Sequence, residues 1–365
     1  MVDLSLTKEN QLTLSPELSK YLEQGVSTNA SDLHISCNAL PTLRIDGKLL
    51  PIEGTKTLSP QDTESLIGSM LSEEKKKKLI DRKELDFSLT FGEKVRLRIN
   101  VYYEKGNLAA AFRLIPYKIK TIEELGLPPI LERFSSQSQG LVVVTGPTGH
   151  GKSTTLAAMV DYINKTRASH IITIEDPIEY VFQNNKSLIN QREVGTDTRS
   201  FAGGLRSALR EDPNVVLIGE MRDLESIETA LILAETGHLI ITTLHANNAA
   251  ETADRIVSVF PPHQQHQIQY QLANVLTGVI SQRLIPKVSG GRIVAAEILI
   301  SNHGIRNIIR EGKTYQLSNV INTSMSEGMI SMDKVLADMV SKGEISIENA
   351  LMWATDPKNL KMSVY

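Results

Sequence analysis

Residues 141–155 read LVVVTGPTGHGKSTT, and this stretch decides the fold of the larger part of the chain. Four apolar residues predict a buried strand, a glycine-rich turn follows, and the segment that begins at Lys152 has helical character. The stretch matches G-x-x-x-x-G-K-[ST], a phosphate-binding loop whose backbone amides surround an anion at a helix N-terminus. Lys152 suits the β- and γ-phosphates and Ser153 suits Mg²⁺, so the chain is predicted to bind a nucleoside triphosphate. The predicted contact residues are Gly146, Pro147, Thr148, Gly149, His150, Gly151, Lys152, Ser153 and Thr154.

Composition limits the class of protein. The chain has 365 residues, 41% of them hydrophobic, which is enough for a sizeable core in two or three domains. A net charge of −3 argues against nucleic acid as a bulk partner, and none is expected. Cys37 is the single cysteine, and the polar N-terminus has neither a signal-peptide nor a membrane-spanning pattern. We therefore expect a cytoplasmic protein.

Residues 1–115 are predicted to form a small α+β domain with an antiparallel sheet. Short strand-like runs alternate with turn residues, helical spacing occurs over 17–24 and 60–83, and Asp46-Gly47 is a hairpin signal.

Three arginines lie on the last strands of this domain. In VRLRINVYY, alternation places Arg96 and Arg98 on one face, and Arg113 follows in AFRLIP. They are either paired surface residues or the source of a guanidinium fork for the triphosphate of a neighbouring subunit, and the residues alone leave both readings open.

The remainder of the chain, 130–365, has the pattern of an α/β nucleotide-binding domain. Residues 116–129 carry prolines at both ends and a short TIEELG helix, which marks a linker. Beyond it, the runs LVVVT, HIITIE, VVLIGE, LIITTL and IVAAEILI alternate with helical patterns and predict a parallel sheet with crossover helices. Ligands of such sheets bind at the carboxyl ends of the strands.

Acidic residues follow two of these strands at that edge. HIITIEDPIEY ends in Glu175, Asp176 and Glu179, which are either solvent-facing turn residues or groups that position Mg²⁺ or water. NVVLIGEMRD resembles a Walker B strand in which Gly219 takes the usual Asp place and Glu220 is the acid. We predict that Glu220 orients or deprotonates the attacking water.

Two histidines flank the run LIITTL. His238 precedes it and His245 follows it, and a histidine in this setting is ordinarily structural. Because His245 falls at the ligand edge, a neutral imidazole there could also sense the γ-phosphate or position Glu220. A catalytic zinc site is disfavoured, since no third ligand is apparent.

From about residue 300 the pattern is helical. In GIRNIIRE, Ile305, Ile308 and Ile309 share one face, and Arg306 and Arg310 share another. Spacing alone describes an ordinary amphipathic surface helix.

Taken in order, these motifs resemble those of the PilT-type branch of the type II/IV secretion ATPase superfamily. The similarity covers nearly the whole chain and includes SDLHIS, VRLRINVYYEKGNLAAAFRLIP, GPTGHGKSTTLAAMVDYIN, IITIEDPIEY, LINQREV, LRSALREDPNVVLIGEMRDLESI and ETGHLIITTLHANNAAETADRIVSVFP. GIRNIIRE is similar to the AIRNLIRE segment of the retraction branch. Extension ATPases carry a four-cysteine metal site that a chain with one cysteine cannot form, which favours retraction over assembly.

The resemblance implies a role for each matching residue. Lys152 and Ser153 would bind ATP and Mg²⁺, Glu175 would be the catalytic glutamate of the Asp box, and Glu220 would be the Walker B acid. The remaining positions carried over are His245 and His238 of the His box, and Arg98 and Arg113, which would look toward bound nucleotide in a hexamer.

The resemblance also implies an architecture and partners. A PAS-like domain would precede a RecA-like ATPase domain, and six chains would form a ring that powers type IV pilus retraction in twitching motility. The expected partners are copies of the chain, an inner-membrane pilus platform protein and an accessory ATPase, with the ring peripheral at the inner membrane.

The alternatives are a related secretion-system ATPase, an accessory retraction ATPase and a non-hydrolysing nucleotide-sensing module. His150, where the family usually has Ser, and Ala246-Asn247-Asn248 depart from the family pattern.

Overall fold

The computed structural model describes residues 14–45, 47–92, 95–116 and 119–364. The chain divides into two compact units, Met1–Lys118 and Ile119–Tyr365, and each has its own hydrophobic core. The division falls inside the proline-flanked segment 116–129.

In the described part of the N-terminal unit, six strands form one antiparallel sheet in the order β3-β2-β1-β6-β5-β4. The strands are β1 (Asp32–Ile35), β2 (Thr42–Ile45), β3 (Lys48–Pro51), β4 (Glu84–Phe91), β5 (Val95–Glu104) and β6 (Asn107–Pro116). The helices are α1 (Pro16–Ser27), α2 (Pro60–Gly68) and α3 (Glu73–Arg82).

Alternation along β5 sets the two faces of this sheet. Leu97 and Ile99 are fully buried, whereas Arg96 and Arg98 lie half-exposed on the opposite face, as a period of two requires. The hairpin predicted at Asp46-Gly47 joins β2 to β3, which pair antiparallel; Asp46 itself lies outside the described residues.

The helical pattern over 60–83 forms two helices rather than one. Ser59 and Asp62 make a capping box at the start of α2, and the helix ends at Gly68. Ser72 then caps α3, because its Oγ accepts a hydrogen bond from Lys75 N at 3.3 Å. Two serine N-caps specify two separate helix starts.

In the described part of the C-terminal unit, seven strands form one sheet in the order β13-β12-β7-β11-β10-β8-β9. All neighbouring strands are parallel except β13, which pairs antiparallel with β12. The strands are β7 (Gly140–Thr145), β8 (His170–Glu175), β9 (Leu188–Glu193), β10 (Val215–Ile218), β11 (Leu239–Leu244), β12 (Leu276–Pro286) and β13 (Arg292–Ile300).

Helices cover this sheet and continue beyond it. Those that precede β12 are α4 (Ile130–Ser135), α5 (Lys152–Thr166), α6 (Phe201–Ala208), α7 (Leu224–Glu235), α8 (Ala249–Ser258) and α9 (Pro262–Val275). Those that follow β13 are α10 (His303–Arg310), α11 (Leu317–Thr323), α12 (Met332–Ser341), α13 (Ile347–Trp353) and α14 (Pro357–Val364). Within the described ranges, no helix has both the length and the apolar character needed to cross a membrane.

The mixed α/β prediction with a parallel sheet is confirmed, with three corrections. IVAAEILI forms β13 and runs antiparallel, so the sheet is not wholly parallel. LINQRE forms the edge strand β9. It was not predicted as a strand, because only two of its six residues are apolar. LTGVISQRLIP forms β12 directly after α9, with no turn residue to mark the change from helix to strand.

The short helix predicted at 121–126 is a turn. Leu125 N donates to Thr121 O at 3.1 Å, and Gly126 then adopts a φ of 65°. Pro128 and Pro129 follow, and proline in a helix interior removes a donor and clashes with the preceding turn. The segment therefore makes a single tight turn before α4.

Candidate nucleotide-binding site

The phosphate loop leaves the fully buried strand β7 at the carboxyl edge of the sheet. Gly146, Gly149 and Gly151 have φ values of 144°, 80° and 83°, which side-chain-bearing residues rarely adopt. A Cβ at Gly146 would collide with the carbonyl oxygen of Gln282 on β12. The glycines thus serve both the loop conformation and its close packing on the sheet.

Lys152 begins α5 and turns its side chain back into the loop. Its Nζ donates to Gly146 O at 2.9 Å and to Pro147 O at 3.0 Å. Burial lowers the pKa of Lys152, while the carboxylates of Glu220 and Glu179 act in the opposite direction. The ammonium group is therefore a nearly buried point charge inside an anion-binding loop.

The first turn of α5 supplies hydroxyl groups. Ser153 is half-buried at its second position, and Thr154 shares a 2.8 Å hydrogen bond with the Tyr180 hydroxyl. Thr148 and Gly149 at the loop tip are exposed. Exposed residues at the loop tip therefore lie next to the hydroxyl groups of the first helical turn.

Short hydrogen bonds hold the strand ends beside the loop. Gly219 N donates to Ile174 O at 2.8 Å, and Thr243 Oγ1 donates to Gly219 O at 2.6 Å. Thr145 Oγ1 donates to Leu244 O at 3.1 Å. The ends of β7, β8, β10 and β11 consequently meet at one edge, as the α/β pattern predicts.

Glu175, the last residue of β8, is buried with 8% of its surface exposed. Its Oε1 accepts hydrogen bonds from Thr173 Oγ1 at 2.6 Å and Gln191 Nε2 at 3.2 Å, and Oε2 accepts one from Glu179 N at 3.4 Å. Burial raises the pKa of Glu175 to about 7, although these hydrogen bonds oppose the shift. Such a carboxyl group can both take up and release a proton near neutral pH.

Gly219, which takes the usual Asp place of this Walker B strand, lies next to the end of β8. A Cβ at position 219 would lie 3.4 Å from Glu175 Cα and from Ile174 O, in direct contact with the buried glutamate. A carboxylate at 219 would therefore adjoin Glu175. The next residue, Glu220, carries its carboxylate beyond the strand end.

Glu220 lies between a cation and an imidazole. Its Oε2 is 2.7 Å from Arg222 Nη2, and its Oε1 is 3.2 Å from His245 Nε2. These residues line a cavity of about 340 Å³. The other lining residues are Met221, Ile227, Leu244, Arg255 and Val259.

His245 is held in the neutral form. Burial and then the positive charge of Lys152 lower its pKa, while Glu220 acts in the opposite direction. Arg255 Nη1 donates to the carbonyl oxygen of His245 and fixes the backbone there. A neutral imidazole can donate or accept a hydrogen bond without adding charge to the site.

The structure places three further predicted residues differently with respect to this edge. His238 lies at the amino end of β11, with Nδ1 2.9 Å from Leu233 O. Asp176 is exposed in the turn after β8, whereas Glu179 donates its N–H to Glu175. Glu179 therefore joins the candidate site, and Asp176 lies beside it, since its negative charge raises the pKa of Arg222. His238 lies at the opposite edge of the sheet.

Arg306 and Arg310 also lie away from the loop. They belong to α10, which follows the end of antiparallel β13 and therefore starts near the amino ends of the parallel strands. Arg306 Nε donates to Ser301 Oγ at 3.4 Å, and the Arg310 guanidinium lies 4.9 Å from the centre of the Tyr270 ring.

Arg98 and Arg113 lie directly opposite each other on β5 and β6 of the N-terminal unit. Arg113 Nε donates to Asp32 Oδ1 at 3.2 Å, so this arginine has a surface partner within its own unit. A role toward nucleotide stays a prediction for both residues.

Two charged residues of the site were not predicted. Arg222 lies two residues after Glu220 in EMRD, and Arg255 lies on α8, ten residues beyond His245. Arginine after a strand end is common on protein surfaces, so the sequence offered no signal that distinguishes Arg222. Arg255 reaches the site through the carbonyl oxygen of His245, to which its guanidinium donates.

A bound Mg²⁺ would take part of its coordination shell from the nucleotide. The described residues contain no cluster of three His, Cys, Asp or Glu side chains placed to hold a metal alone. Ser153 and nearby carboxylates suit a Mg²⁺ that is coordinated largely by phosphate oxygens.

The fold and this site define a P-loop nucleotide-binding protein of the α/β class. The Type II/IV secretion system protein family model (T2SSE) matches residues 7–351. The chain belongs to this family.

Individual relatives agree with that assignment. The type IV pilus retraction ATPase PilT of Pseudomonas aeruginosa is 46% identical over 94% of this chain and 99% of its own length. The crystal structure of the pilus retraction motor PilT with bound ADP superposes with a TM-score of 0.88 at 46% identity, covering 94% of this chain and 98% of that chain. The ATPase DotB of Legionella pneumophila superposes with a TM-score of 0.80 at 28% identity, covering 92% and 94%. The prediction of a PilT-type ATPase of this superfamily is confirmed.

Proposed function

We propose that this chain is the ATP-hydrolysing motor of type IV pilus retraction. The observation that carries the proposal is the convergence of Lys152 in the phosphate loop with Glu175, Glu220 and His245 at one sheet edge. A phosphate-binding loop alone would bind nucleotide, whereas oriented carboxylates beside it supply what hydrolysis needs.

Glu175 is the general base in this mechanism. Its Oε1 already accepts two hydrogen bonds, but Oε2 accepts only the long one from Glu179 N. Oε2 can therefore take the proton of a water molecule that attacks the γ-phosphorus as the bond to ADP breaks. A pKa of about 7 matches this task at neutral pH.

Glu220 positions the water and His245 positions Glu220. Arg222 and His245 contact the two carboxylate oxygens separately, which fixes the orientation of the carboxylate. Lys152 neutralises charge that develops on the β- and γ-phosphates, and Ser153 would hold the nucleotide-bound Mg²⁺. A bound Mg²⁺ would offset the negative charge of the phosphate oxygens.

The working form is a homohexameric ring in the cytoplasm, bound peripherally at the inner membrane to a pilus platform protein. Arg98 and Arg113 of the N-terminal unit, which we take to be a PAS-like domain, complete the ATP site in this ring. The family membership and the motif series support these features.

Retraction is favoured over the secretion alternative by two observations. GIRNIIRE, which lies in α10 up to Arg310, is similar to a segment of the retraction branch. The retraction motor PilT is 46% identical to this chain, whereas the DotB structure is 28% identical. An accessory retraction ATPase is the nearest alternative.

Two experiments test the proposal. Phosphate release from ATP is measured on purified chain whose mass is read by light scattering on the same sample, and we expect hydrolysis only in the six-chain species. Expression in a retraction-deficient strain that retains its accessory ATPase should restore twitching. Turnover by a monomer at the full rate would contradict the ring mechanism, and failure to restore twitching would contradict the retraction assignment.

A further inference from the structure

The single tryptophan of the chain lies against the phosphate loop. Trp353 is the last residue of α13, and its ring centre is 4.9 Å from that of His150, with the ring planes at 70°. The guanidinium carbon of Arg283 lies 5.8 Å from the same tryptophan ring. A helix near the end of the chain thus contacts the loop that opens the nucleotide site.

His150 also fastens the loop to β12. Leu284 N donates to His150 Nδ1 at 3.0 Å, and Gln282 Nε2 donates to His150 O at 2.6 Å. Gln282 Oε1 accepts from Thr155 Oγ1 at 2.8 Å, so one amide side chain bridges the loop and the first turn of α5. A serine at position 150 would lack the ring that reaches both β12 and α13.

The imidazole must be unprotonated at Nδ1 to accept this hydrogen bond. Burial lowers the pKa of His150, and the positive charges of Arg283, Lys152 and Arg292 lower it further. The neutral ring that the contact requires is therefore the favoured form.

A second connection joins the same cluster to the segment after His245. Arg283 Nη2 donates to Asn247 O at 2.7 Å, and Ser281 Oγ donates to the same oxygen at 3.1 Å. Arg283 Nη1 donates to Gln282 O at 3.0 Å, the oxygen that packs under Gly146. β12 therefore links both loops of the site to the face that Trp353 covers.

We propose that Trp353 and His150 are positioning residues of the ATPase, through which α13 holds the phosphate loop in its nucleotide-binding conformation. Nucleotide affinity falls in proportion to the fraction of protein in the competent conformation, so loosening the loop weakens binding. The proposal rests on the proposed nucleotide site, and it adds that the occupancy of this site is sensed by the C-terminal helices.

Trp353→Ala tests the proposal by kinetics. Loss of an aromatic contact should raise KM for ATP and the calorimetric Kd for ADP together, by about threefold to tenfold, with kcat changed less than about twofold. Trp353→Phe keeps an aromatic ring and should restore most of the affinity. Met352→Ala is the matched control, because it is the adjacent residue of the same helix and its side chain is 77% exposed.

The wild-type chain provides a second readout that needs no destabilising change. Emission from Trp353 should change saturably as ADP is added, with a midpoint equal to the calorimetric Kd. In His150→Ser the emission change should fall at least about twofold although ADP still binds. Wild-type emission that does not move at saturating ADP, or Trp353→Ala with wild-type KM and Kd, would overturn the proposal. Absence of calorimetric ADP binding by the wild-type chain would overturn the ATPase function as well.

Discussion

His245 Nε2 lies 3.2 Å from Glu220 Oε1, although the two residues follow different strands of the sheet. Arg222 contacts the other oxygen of the same carboxylate at 2.7 Å. Each oxygen of the Glu220 carboxylate therefore has its own partner, and the orientation of the carboxylate depends on both Arg222 and His245. This arrangement makes the roles of the three residues separable by substitution.

Glu220→Gln should lower kcat for ATP hydrolysis by about 100-fold or more while leaving the Kd for ATP within a few-fold of wild type. The amide keeps the size of the side chain but removes the charge that orients water. Phosphate release and equilibrium binding measure the two quantities. Glu228→Gln, at an exposed position of α7, is the matched control, and equal rates for both variants would remove Glu220 from the mechanism.

Glu175 should impose a pH dependence on catalysis. With a pKa of about 7, the carboxyl group is protonated below neutrality and cannot act as a base. We expect kcat/KM to rise with pH and to level off above about 7, and the residual activity of Glu175→Gln to lose this inflection. An inflection that persists unchanged in Glu175→Gln would assign it to another group.

Glu175 should also lower the free energy of unfolding at high pH. Its folded pKa, about 7, exceeds the ordinary value of 4.5, so the folded state holds its proton more tightly than the unfolded state. The stabilising effect of the bound proton is complete below the ordinary pKa and is lost as the pH rises through about 7, amounting to roughly 3 kcal/mol. Glu175→Gln should therefore unfold at a higher temperature than wild type at pH 8, and the difference should shrink at pH 5.

Arg222→Ala should lower kcat by about twofold to tenfold, because Glu220 keeps His245 but loses its second contact. The Arg222 side chain is 72% exposed, so little stability should be lost. Arg206→Ala removes a comparably exposed arginine that pairs with Glu225 and serves as the control. A decrease in thermal stability without a change in kcat would make Arg222 a structural residue.

The strand ends explain which parts of the site could be predicted. Parallel strands carry their carboxyl ends to one edge, so Glu175, Glu220 and His245 follow from the order of the runs and the phosphate loop. His238 could be set apart by the same rule, since it precedes its strand. The grouping of these two acids and this histidine at one edge thus requires only topology.

Contacts made by distant segments could not be predicted. Trp353 reaches His150 because α12, α13 and α14 pack on β12 and β13 through Ile285, Leu336 and Ala350. β12 itself carries Gln282 and Arg283 to the loop, but it follows α9 without a turn signal. Periodicity describes local structure, whereas these juxtapositions depend on how buried faces pack.

Arg113→Ala distinguishes the two roles left open for the arginines of β5 and β6. If Arg113 completes the ATP site in the ring, its loss should lower kcat by at least about tenfold while the mass of the oligomer is unchanged. If it only pairs with Asp32, its loss should have the small effect of an exposed ion pair, because Arg113 is 59% exposed. Asp32→Asn breaks the pair but keeps the guanidinium, so it is the matched control. We expect Asp32→Asn to retain activity, and equal losses in the two variants would assign Arg113 to the surface pair alone.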